Sequence, residues 1–336
     1  EIVVQPYLQY PTQTGITVCW ETDQPAASEA ACGVSAAKLN WVAATGDATV
    51  HQATFTGLET DQCYFYQVRS AAADGTKVES AVLTFQTAVG DESPFSFIVM
   101  CDTQANPNEL STLANLAWAQ RPHFVMVGGD LVTDGMEKDH WTGHFFPNMH
   151  PLISRAALIP TFGNHDKNSP FYYEYFALPD PEYCYSFRYG NLELFLLDSQ
   201  RPMREGSEQY KWAEGALKAS KAEWKIVCFH KPPYSSDFDD YGKTDEVRTM
   251  GGDPGLRRIL AGDTAVTVPD EVQKALRDPG PRQRLEALAA GLEQDPETFG
   301  ADGRFGTLLD RLVGPAQADG LSAQALLDRL APLLDP

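Results

Sequence analysis

From Ile2 to Ala88 apolar and polar positions alternate in short stretches, IVVQPYLQY, GITVCWET, EAACGVS, ATVHQATFTGL, CYFYQVRSAA and VESAVLTFQTA, separated by turn-forming residues. A period of two, interrupted this often, predicts the short strands of an all-β sandwich. Trp20, at the end of an apolar-alternating stretch, is a natural core plug, and GLETDQCYFYQV spaces Leu58, Tyr64, Tyr66 and Val68 like a loop entering a central strand with a tyrosine at its corner. From Phe95 the pattern becomes apolar strand, polar loop, helix. FSFIVM, HFVMVGG, ALIPTFG, CYSFRYG, LELFLLDS and KIVCFH read as strands, and Asn108 to Gln120, Met136 to Ser154 and Glu208 to Ala222 as helices, which predicts an α/β layered domain. Residues 251–336 lack His, Cys, Trp, Tyr and Met, and their leucine spacing, broken by Gly and Pro, fits short amphipathic helices. The expected organisation is a sandwich over 1–89, an α/β domain over 94–250 and a helical C-terminal appendage over 251–336.

A length of 336 residues exceeds what one core usually organises, in keeping with two or three folded units. No apolar run approaches the ~20 residues of a membrane span, so a spanning role is excluded. The formal charge of -20, with no basic stripe and interleaved aromatics, argues against nucleic acid as a partner. Six cysteines stand singly without a CxxC pair, and three of them, Cys19, Cys101 and Cys228, lie in strand-like runs where a small buried hydrophobe is the ordinary role. The chain opens at Glu1 without Met or an apolar leader, as expected of a processed chain.

The chemistry gathers at strand ends. Asp102 follows FIVMC, Asp130 follows FVMVGG, Asn164 and His165 follow IPTFG, and His230 follows KIVCF. Loops leaving the carboxyl ends of strands in α/β sheets converge on one edge, so these residues are expected to meet. Two aspartates, an amide oxygen and an imidazole make a mixed O/N set suited to Mn, Fe or Zn rather than to thiolate sites. Each residue alone has a simpler explanation, since Asp and Asn after a strand commonly form turns or cap helices.

Taken together, Asp102, Gly129-Asp130, Gly163-Asn164-His165-Asp166 and His230-Lys231-Pro232-Pro233-Tyr234 resemble the calcineurin-like metallophosphoesterases in their purple acid phosphatase branch. The sandwich resembles a fibronectin type III domain and, in PYLQYPTQTGITVCWET, the N-terminal domain of purple acid phosphatases. The resemblance implies two divalent metal ions, with Asp102 on one, Asp130 bridging both, and Asn164 and His230 on the second. It implies that His165 is catalytic, facing the scissile phosphate as hydrogen-bond donor or general acid. Asp166 could orient that imidazole or act as a cap. A small phosphorylated substrate and a periplasmic or extracellular location are further implications.

The chain departs from this pattern in three places. Purple enzymes carry a tyrosine three residues after the bridging aspartate, where this chain has Thr133, so a purple tyrosinate-iron centre is not expected. Other branches carry a metal-binding histidine two residues after the first aspartate, where Gln104 stands; its amide oxygen could bind metal or water, or make an ordinary surface contact. The family's closing Gly-His-x-His block is absent, because no histidine follows His230. Asp263 falls near where that block belongs, and His123, His140, His144 and His150 are poor substitutes, the last three being expected on one helix. Two functional classes follow: a metal-dependent phosphoric ester hydrolase, or an inactive relative acting as a binding protein.

Overall fold

The computed structural model describes residues 1–44 and 48–231, which form one compact unit. Residues 232–250 of the expected α/β domain, the expected appendage and Asp263 lie outside the described residues.

Eight strands precede the α/β layers: β1 (Ile2–Thr12), β2 (Gly15–Thr22), β3 (Ala26–Ser35), β4 (Lys38–Ala43), β5 (Val50–Thr56), β6 (Cys63–Ala72), β7 (Lys77–Glu79) and β8 (Leu83–Gln86). They pair antiparallel into two groups, β5-β2-β1 and β4-β3-β6-β7, with β8 beside β6. The period-two pattern places Trp20, Tyr66, Val18 and Val68 in the core. Tyr64 makes the expected corner, its hydroxyl accepting the Glu59 N–H at 2.9 Å. A polar network is sealed beneath Trp20: its indole N–H donates to Ser70 Oγ at 3.1 Å, Ser28 Oγ lies 2.7 Å from Ser70 Oγ, and the buried His51 ring stands 5.2 Å from Trp20.

The second half contributes β9 (Phe97–Met100), α1 (Pro107–Ala119), β10 (Phe124–Val127), α2 (Phe146–Ile153), β11 (Ala157–Pro160), α3 (Pro170–Tyr175), β12 (Tyr185–Tyr189), β13 (Leu192–Leu196), α4 (Glu208–Ala219) and β14 (Trp224–Cys228). Strands β9, β10 and β11 are parallel, and β1 runs parallel to β11 through Gln9 and Leu158, so the order is β5-β2-β1-β11-β10-β9. One sheet therefore crosses from the all-β half into the α/β half. A second sheet, β12-β13-β14, packs on it through aromatic rings: Phe124 lies 5.2 Å from Phe187 and Tyr10 5.6 Å from Phe187.

Helix starts follow the capping signals. Asn106 precedes Pro107, Ser169 precedes Pro170, and Ser207 accepts the Tyr210 N–H at 3.3 Å. The expected helix from Met136 begins later, as a π-helix over His140–Phe145 running into α2. Residues 134–136 are held as a turn instead, because Asp134 N donates to His140 Nδ1 at 3.0 Å, Met136 N to Asp134 Oδ1 at 3.0 Å, and the Trp141 indole to Gly135 O at 2.9 Å. Among the described residues no helix is long and apolar enough to cross a membrane.

The two halves are also tied by a charge. Glu21 is buried, pairs with Lys138 Nζ at 2.5 Å and accepts the Tyr175 hydroxyl at 2.9 Å.

Candidate metal centre

Parallel strands β9, β10 and β11 end side by side, and β14 ends nearby in the other sheet. Their loops bring Asp102, Asp130, Asn164–His165 and His230 to one edge. Both aspartates leave their strands with positive φ, 55° at Asp102 and 53° at Asp130, a conformation that costs energy outside glycine and is found where side chains must be aimed. Gly163 is required by contact rather than by φ: a Cβ there would overlap Asp130 Oδ1 and the Asp130 backbone nitrogen.

Asp130 is the centre of the cluster. Its Oδ1 accepts the His165 backbone N–H at 2.8 Å, and its Oδ2 lies 3.2 Å from His230 Nε2, 3.2 Å from Gln104 Nε2 and 4.0 Å from His165 Nε2. Burial works against its charge, but the hydrogen bonds from His230 and the His165 amide outweigh it and hold the carboxyl below its ordinary range. His230 responds in kind. Burial favours its neutral form, yet the hydrogen bond and charge of Asp130, the Gly128 carbonyl and the charge of Asp102 together outweigh it and raise its pKa.

The imidazoles have defined orientations. His230 Nδ1 lies 3.0 Å from Gly128 O and His165 Nδ1 2.8 Å from Thr133 O. A carbonyl only accepts, so each Nδ1 carries hydrogen and each Nε2 is presented to Asp130. Asn164 Oδ1 is buried with no hydrogen-bond donor among the described residues. Asp102 completes the group as an exposed residue whose ligand atom, with those of Cys101 and His230, falls within 4.8 Å of the others. All five sequence-identified residues thus converge.

Cys101 had no distinguishing signal in the sequence. Burial drives its thiol far above the ordinary range, and Sγ turns to Gly128 O at 3.3 Å, so it behaves as a thiol rather than a thiolate ligand. Asp166 takes the capping role and does not hold the imidazole. Its Oδ2 accepts N–H groups from Gly163 at 2.7 Å and Asp130 at 3.0 Å, and its Oδ1 that of Leu131 at 2.9 Å, so one carboxylate staples two site loops together. Burial pushes it up to about 7 against the pull of those amides. Gln104 is not a free surface side chain: its Nε2 donates to Asp130 Oδ2 at 3.2 Å. His140, His144 and His150 lie on the π-helix and α2, and His123 sits before β10.

The sequence profile described as calcineurin-like phosphoesterase matches residues 95–267, and that of the purple acid phosphatase N-terminal domain matches 3–87. The chain belongs to the calcineurin-like phosphoesterase family. Its all-β half is of the purple acid phosphatase N-terminal type, and members of this family typically bind two metal ions. An uncharacterized protein of Mycobacterium tuberculosis is 26% identical over 243 residues, 57% of this chain and 44% of that protein. A probable inactive purple acid phosphatase of Arabidopsis thaliana is 23% identical over 266 residues, 68% of this chain and 43% of its own. The chain therefore spans less than half the length of these relatives. The structure of a purple acid phosphatase from yellow lupin seeds superposes with a TM-score of 0.66 at 19% identity, covering 76% of this chain and 55% of the lupin chain, which is a likeness of fold. Family membership supports phosphoesterase chemistry, and the relatives include the probable inactive Arabidopsis protein.

Proposed function

We propose that this chain hydrolyses phosphate esters of small molecules, monoesters or diesters, with water as the nucleophile and metal held by Asp102, Asp130, Asn164 and His230. The observation that carries the reading is the donor set at the strand ends: an Asn164 Oδ1, in the loop of His165, buried with no hydrogen-bond donor among the described residues, and a His230 Nε2 turned on the Asp130 carboxylate by the Gly128 carbonyl behind it. A buried acceptor without a donor is costly, and a cation removes the cost. The donors are oxygen and imidazole nitrogen, which fits Mn, Zn or Fe in the divalent state.

A bound metal pair would supply a water acidified towards neutrality and charge neutralisation at the phosphoryl oxygens. The chain's own residues do the rest. His165 is fixed at Nδ1 by Thr133 O, so the proton it can give to a departing alkoxide is the one on Nε2. The His165 amide, bonded to Asp130 Oδ1, fixes the ring's backbone to the same carboxylate that His230 faces. No serine, cysteine or aspartate stands in a recognisable nucleophile motif, so a covalent phosphoenzyme is not invoked.

A second reading has its own support: no histidine follows His230, so the imidazoles that close the site in relatives are lacking in this sequence. On that reading the cleft binds a phosphorylated ligand or partner without turning it over. One experiment separates them. Purified chain is dialysed against Mn, Zn or Fe, its metal content is measured, and p-nitrophenyl phosphate and bis-p-nitrophenyl phosphate are assayed. About two ions per chain, with turnover that Asn164→Ala and His165→Ala abolish, supports the hydrolase. No turnover of either ester with metal bound favours the binding protein, and turnover that persists without metal refutes the metal-dependent mechanism.

A further inference from the structure

The loop after β9 is folded so that one amide is delivered to the bridging carboxylate. Thr103 Oγ1 donates to Leu131 O at 3.0 Å, and the Ala105 N–H donates to Thr133 Oγ1 at 3.0 Å, so residues on both sides of Gln104 are clamped to the loop after Asp130. Asp102 and Ala105 adopt positive φ, 55° and 69°, to make the bend. Thr133, at the position of the tyrosine in purple enzymes, is engaged in that clamp through its side chain and in positioning His165 through its carbonyl. Gln104 Nε2 lies 3.2 Å from Asp130 Oδ2, while Gln104 Oε1 is buried and has no hydrogen-bond partner among the described residues. The two clamps therefore hold the Gln104 amide against the Asp130 carboxylate at the centre of the site.

We propose that Gln104 is a metal ligand, its Oε1 joining Asp102 and Asp130 on one cation of the centre described above. The inference rests on that metal-centre reading. A half turn of the terminal amide exchanges Oε1 for Nε2 and puts two oxygens 3.2 Å apart. Octahedral metal–oxygen bonds of about 2.1 Å place neighbouring ligands about 3 Å apart, so one cation accommodates both.

The test is Mn²⁺ titration of the full chain, followed by the free-ion paramagnetic resonance signal. Wild type, Gln104→Ala, Gln104→Glu and Asp130→Asn are compared, with circular dichroism as a check on folding. Gln104→Ala is expected to weaken Mn²⁺ binding at least about tenfold, as loss of a metal-positioning group does, and Gln104→Glu, which keeps an oxygen there, to bind as tightly as wild type or tighter. If Gln104→Ala binds like wild type, or if Gln104→Glu is as weak as Gln104→Ala, the side chain only donates to Asp130 and the proposal is overturned while the metal centre stands. If wild type binds no Mn²⁺, or Asp130→Asn binds as wild type does, the centre itself fails and Gln104 falls with it. Should Gln104→Ala misfold, the comparison of Gln104→Glu with wild type decides alone.

Discussion

His51 gives the chain a calculable acid sensitivity far from the metal centre. Its ring is fully buried, Nε2 lies 2.8 Å from Thr22 Oγ1 and 3.3 Å from Ser28 Oγ, and Nδ1 has no partner among the described residues. Protonation would place an N–H and a charge in that buried site, and burial accordingly lowers the pKa from 6.5 to about 4. Between those values the unfolded chain binds a proton that the folded chain refuses, so folding stability is full above about pH 6.5 and is lost as pH falls towards 4. At about 1.4 kcal/mol per unit, the full window is worth on the order of 3 kcal/mol, of which about 2 kcal/mol is lost between pH 8 and pH 5. Urea denaturation at those two pH values, followed by tryptophan fluorescence, measures it. His51→Gln removes the titration but leaves every other group, including the opposing Asp166. Wild type should lose about 2 kcal/mol more than His51→Gln over this interval, whatever the variant's stability at pH 8. Equal losses in the two proteins would refute the argument.

Gly163→Ala is expected to abolish metal uptake by elemental analysis and to lower stability by about 1–3 kcal/mol, since its Cβ drives into Asp130. Lys138→Met, which leaves the buried Glu21 carboxylate with only the Tyr175 hydroxyl among the side chains of the described residues, should cost about 2 kcal/mol in thermal unfolding, and Glu21→Gln in the same chain should recover most of it. With Thr133 tied to Ala105, protein loaded with ferric iron should show no tyrosinate charge-transfer band in its visible spectrum; a purple product would contradict this.

The convergence of Asp102, Asp130, Asn164, His165 and His230 was legible because each follows an apolar run that becomes a strand, and parallel strands align their ends. Side-chain reach was not legible. Gln104 reads as a surface amide until positive φ at Asp102 and Ala105 turns the loop inward, and nothing in the local sequence announces those angles. Asp166 had two plausible roles, and its burial beneath three loop amides decides for the cap. Helix α3 was missed although Ser169-Pro170 is a start signal, because six residues are too few to show a period. The pairing of β1 with β11 joins residues 9 and 158 and depends on no local pattern at all.

That pairing has a practical consequence for anyone who would treat the all-β half as a detachable module. Cutting the chain in the turn before Phe95 would not separate two bodies; it would strip β11 of the strand along its side, leaving exposed amide and carbonyl groups next to the loop that carries Asn164 and His165. The shortened phosphoesterase half would be expected to recruit a strand from a neighbouring molecule and precipitate, so screens for a minimal active fragment should begin at the first residues of β1.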